Sequence, residues 1–74
     1  MRYYVFSEIS INNITNVNST IYTNRASAIN HCAEVFAYDM EKCGRAIENL
    51  LLNGNYFDNE CQMVYVVKEV ELIA

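Results

Sequence analysis

Apolar and polar positions alternate over residues 3 to 11, with Tyr3, Val5, Ile9 and Ile11 on one side and Tyr4, Phe6, Glu8 and Ser10 on the other. A period of two predicts a β-strand, whose successive side chains point to opposite faces. The asparagine-rich stretch over residues 12 to 18 reads as a polar hairpin loop, because Asn bonds its own backbone and tolerates turn conformations. Ser19, Thr20, Ile21, Tyr22 and Thr23 form a short second strand. Thr23 or Asn24 then caps a helix by bonding the free amides of its first turn.

From there the period changes. Ala26, Ile29, Ala33, Phe36, Met40, Cys43, Ile47 and Leu50 recur at alternating steps of three and four, the stripe of a heptad helix. The spacing predicts one long helix over residues 25 to 53, kinked at Gly44 or divided there into two collinear segments. Asn53-Gly54 is a suitable stop. Glu34, Tyr38, Glu41, Arg45 and Glu48 lie opposite the stripe and form a solvated face. Residues 54 to 61 read as a loop in which Tyr56 and Phe57 fold back over a helix end. Residues 62 to 73 form the last strand. Val64, Val66, Lys68, Val70 and Leu72 share one side of it, with Tyr65, Val67, Glu69 and Glu71 on the other.

This order predicts a small α+β domain spanning residues 1–74: a β-β-α-β unit with a three-stranded antiparallel sheet in the order 2-1-3 and the helix on one face. A parallel last strand beside the second, reached by a right-handed crossover, is the alternative. One helix covers one face. Val5, Ile9, Ile21, Val64, Val66, Val70 and Leu72 are expected beneath it. That leaves Tyr4, Phe6, Tyr22, Tyr65 and Val67 bare, with Glu69 and Glu71 nearby, as a partner-binding face of aromatic anchors and charge. The alternative is that the two faces are reversed, or that residues 54 to 61 cover these rings. A helix of this length spans roughly 43 Å and overhangs the shorter strands. Phe36, Met40, Ile47 and Leu50 are the expected seam of a homo-oligomer.

Composition narrows the function. The 74 residues include nine acidic and five basic ones, for a net charge of -4. No two basic residues are adjacent, which disfavours direct nucleic-acid binding, since counterion release needs clustered cations. An acidic surface suits a basic partner instead, including a nucleic-acid-binding effector. No apolar run is long enough to cross a membrane or to serve as a signal peptide, and the expected setting is the cytoplasm of a host cell.

The chemistry-bearing residues are few. His31, the single histidine, is adjacent to Cys32; Cys43 and Cys61 complete the cysteines. Their spacing is not that of a zinc site, and neither metal nor cofactor is expected. Neighbours on a helix diverge by about 100°, so His31 is poorly placed to activate Cys32. With two isolated glycines there is no phosphate-cradling loop. The chain is therefore expected not to be an enzyme.

The strand Tyr3-Tyr4-Val5-Phe6, the segment Ile21-Tyr22-Thr23-Asn24-Arg25-Ala26 and the closing strand Tyr65-Val66-Val67-Lys68-Glu69-Val70-Glu71 give a layout that resembles small α+β proteins of bacteriophages and mobile elements. Anti-CRISPR-type and other anti-defence inhibitors belong to that group. The resemblance implies an inhibitor that binds a host defence protein. Two alternatives stand beside it: a homo-oligomer holding a small anion such as a signalling nucleotide, with Arg2, Arg25 or Arg45 as cation, and a structural assembly subunit.

Overall fold

A computed structural model describes residues 1–73. The chain runs β1 (Arg2–Ser10), β2 (Thr15–Tyr22), α1 (Arg25–Asn30), α2 (Cys32–Val35), α3 (Met40–Asn53), β3 (Asn55–Asp58) and β4 (Met63–Glu71). The strands form one sheet in the order β2-β1-β4-β3, antiparallel throughout. The α+β class and the antiparallel sheet are as expected, but there are four strands rather than three. Residues 55–58, expected to be loop, pair with β4 as an edge strand. Tyr56 points inward from it, 5.9 Å from the Phe36 ring between centroids, while Phe57 points outward.

β2 begins earlier than its composition implies. Thr15 and Asn16 pair with Ser10 and Ile9, and a bulge between Glu8 and Ile9 absorbs the extra residue Val17. Backbone pairing with β1 thus recruits asparagines that have little strand preference of their own.

The long helix is replaced by three segments. Asn24 caps α1, its side chain accepting a hydrogen bond from the Ser27 amide at 2.7 Å. Asp39, in extended conformation, starts α3 anew by accepting from the Lys42 amide at 3.1 Å. Phe36 and Cys43 stand seven residues apart across this break, so the heptad spacing survives where the helix does not. Met40, on the predicted stripe, is 77% exposed. Gly44 lies inside α3 and ends nothing. Gly54 closes α3 in the left-handed conformation (φ 77°), its amide donating to the Leu50 carbonyl.

The helices cover the opposite sheet face from the one the strand pattern implies. Phe6 is 1% exposed and Tyr65 5%; they pack with Ile29, Cys32, Phe36 and Leu50. The ring centroids of Phe36 and Tyr65 are 4.9 Å apart at 70°, an edge-to-face contact. The reason is volume. Beside Ile29, Phe36, Lys42 and Leu50, the inward residues of the helical layer are the small Ala28, Cys32, Cys43 and Ala46. Small helix side chains leave space that sheet rings fill and that valines would leave partly void.

Candidate functional site

Two surfaces of opposite character flank this core. The first is the uncovered face of the sheet. The register sets its side chains in cross-strand rows: Ile9, Val64 and Phe57; Ser19, Ser7, Val66 and Asn55; Ile21, Val5 and Lys68; Tyr3 and Val70. Ile21 is 67% exposed and Phe57 51%. The Ser7 and Ser19 hydroxyls lie 3.2 Å apart near the middle. β-Branched residues fit a pleated surface, and here they do so without a covering layer.

The second surface is the helical layer with its margins. Eight of the nine acidic residues lie on helices, on the turn before α3, or at strand positions on the helix side, and the ninth, Glu60, reaches Lys42 of α3 from the β3–β4 turn; four of the five basic residues accompany them. Lys68 is the single charge on the open face. The net charge of -4 thus divides into about five negative charges on one side and one positive on the other.

The expected partner-binding residues do not form a bare patch. Phe6 and Tyr65 are core residues, and Tyr22 and Val67 pack against that core. Tyr4 is half-buried, its hydroxyl 3.5 Å from a Glu69 carboxylate oxygen. Glu69 also pairs with Arg2 at 3.2 Å; Glu69 and Glu71 remain exposed at the margin. The expected oligomer seam is dispersed as well. Phe36 and Leu50 are buried within the subunit, Ile47 packs against the same core, and Met40 faces outward. The helix break removes the overhang on which that seam depended.

Titratable groups inside the fold are held by specific partners. The Lys42 ammonium lies 3.2 Å and 3.4 Å from the two carboxylate oxygens of Asp58, with both side chains buried. Burial pushes the Asp58 carboxyl up, but the Lys42 hydrogen bond and the Cys61 amide outweigh it and hold the group below its ordinary value. Burial pulls the Lys42 ammonium down, and Asp58, with Glu60 at 3.7 Å, raises it above its ordinary value. Neither residue stood out by spacing; a lysine two positions into a helix with an aspartate sixteen residues on is not a local signal.

His31 and Cys32 are not paired. The His31 Nδ1 meets the Tyr22 hydroxyl and stands 3.6 Å from Glu34, while its ring packs on Phe6. Burial, with Cys43 nearby, pushes the Cys32 thiol up to about 12, so it stays protonated and unreactive near neutral pH. Two of the three arginines are engaged within the chain. Arg2 pairs with Glu69, and Arg25 donates to the Leu50 and Leu51 carbonyls at 3.2 Å and 3.0 Å, closing the C-terminal end of α3. Among the described residues no group of three or more acidic, His or Cys side chains is placed to hold a metal, no pocket is found, and no helix is long and apolar enough to cross a membrane. Comparison with family models, curated proteins and solved structures returned no match.

Proposed function

We propose that the chain is a small non-enzymatic binding protein that engages a basic protein partner through its acidic helical layer. The segregation of charge carries this conclusion. The exposed carboxylates of one side form a field of one sign, which favours a partner of the opposite sign. Exposed apolar residues accompany the acids: Tyr38 and Met40 beside Glu41, and Leu51 and Leu52 after Glu48. Apolar anchors within a field of fixed charge match the make-up of a protein interface, and charge of one sign selects and steers its complement.

The resemblance of the sequence to small phage and mobile-element proteins directs the search to host defence effectors, among which RNA-guided nucleases hold nucleic acid in positively charged channels. Bound there, the acidic layer would occupy phosphate-binding positions and inhibit by exclusion. The test is retention of purified basic nucleases, and of proteins from host lysate, on the immobilised chain over a salt series. The partner is expected to bind at low salt, to elute as screening rises, and to be lost by the Glu41→Lys, Glu48→Lys double variant. Undiminished binding by that variant contradicts the proposal.

A further inference from the structure

We infer that the open face of the sheet is covered by the same face of a second copy, giving a two-fold dimer with stacked sheets inside and acidic helical layers outside. This goes beyond the binding of a basic partner and does not depend on it.

Charge identifies the occupant. A face with no acidic residue offers nothing to a basic partner, and its one cation gives little to select an acidic one. An identical face, whose one charge is Lys68, meets it without an unpaired charge at the centre. The chain's net charge does not oppose the approach, because the acids lie across the molecule. Its smallest extent is 19 Å, against a screening length of about 8 Å at physiological salt.

Lys68 does not obstruct stacking. β3 ends its pairing where Asn55 meets Val66, so β4 has outrun β3 at Lys68. The residue therefore stands at the rim, where its stem can lie on apolar surface with the ammonium in water. A lysine there also guards the short unpaired edge against strand addition.

Area is consistent with a specific dimer. The strands contribute nine, eight, four and nine residues. At about 3.4 Å per residue and 4.8 Å between strands this is roughly 490 Å² of flat sheet per copy, or about 1,000 Å² for the pair before side-chain relief is added. That reaches the lower bound for a biological interface. Valine and isoleucine side chains of the two faces interdigitate at the usual separation of about 10 Å.

The experiment is light scattering coupled to size exclusion, over protein concentrations up to about 1 mM, on the wild type and two variants. Ser7→Arg places a long cation at the centre of the face, on a side chain that the monomer leaves accessible; Ser19→Arg does so one strand away and serves if Ser7→Arg fails to fold by circular dichroism. The wild type is expected at twice its 8.5 kDa subunit mass. The arginine variants are expected as folded monomers, with association weakened about tenfold or more. The Glu41→Lys, Glu48→Lys variant is expected to remain dimeric, which separates this inference from the basic-partner proposal. A wild type that stays monomeric throughout, or folded arginine variants that dimerise as the wild type does, overturns the inference.

Discussion

Gly44 and Gly54 occupy the two ends of glycine's range of uses. A Cβ at Gly44 would meet nothing within 4 Å, and the residue sits inside a helix. Gly44→Ala is expected to stabilise the protein by up to about 1 kcal/mol, chiefly by restricting the unfolded chain. Gly54 holds φ at 77°, where an L side chain is strained; Gly54→Ala is expected to cost about 1 kcal/mol or more. Urea unfolding of the two variants checks the opposite signs. The buried Lys42–Asp58 pair sets the response to pH. Because folding lowers the Asp58 pKa, its contribution is complete above the unfolded value of about 3.9 and is lost as pH falls through the lower folded value. Folding raises the Lys42 pKa, so its contribution is complete below about 10.4 and is lost only as pH rises through the higher folded value. Asp58→Asn is expected to lower the unfolding midpoint at neutral pH and to flatten the acid limb, as read from thermal melts at a series of pH values.

The elements show where local pattern stops being informative. Two-residue alternation located β1 and β4 within about two residues, and Asn53-Gly54 and Asn24 marked helix ends, because those signals are complete in a few neighbouring side chains. The break between α2 and α3 was hidden because Phe36 and Cys43 keep their seven-residue separation whether the chain between them is helical or not. Asp39 was the available clue: a short acidic side chain three residues before the Lys42 amide that it caps. β3 was invisible locally, since four residues become a strand only when β4 offers them an edge. The covered face was misjudged because alternation shows that two faces differ and not which one is inside. The small inward residues Ala28, Cys32, Cys43 and Ala46 were the available clue, for they leave room that rings fill. Phe6→Ala therefore acts on the fold. It is expected to cost about 3–5 kcal/mol, comparable with the whole stability of a chain this short, near 4–11 kcal/mol. Val5→Ala, on the open side of the same strand, is expected to cost far less in the monomer, and chemical denaturation of dilute protein distinguishes the two.

At the scale of the molecule, the fold sorts its surface. The antiparallel register places Phe6, Tyr56 and Tyr65 beneath the helices and the rows built on Val5, Ile9, Val64 and Val66, with Tyr3 and Phe57, outside, and the acids follow the covered side. What the sequence shows of this is the strict parity of charge on β4, with Glu69 and Glu71 against Lys68; what it does not show is which parity the helices choose. The result is a thin two-layer body, 40 × 26 × 19 Å, with a largely uncharged side that we infer meets its own copy and an acidic side that we propose meets a basic protein. Isotope-filtered NOE spectroscopy on a mixture of labelled and unlabelled chains tests this division most directly. Intermolecular contacts among the methyl groups of Val5, Ile9, Val64 and Val66 are predicted, with none from Met40 or Leu52. Intermolecular contacts from the helical layer, or none from the valines at concentrations where a dimer would be populated, would contradict it.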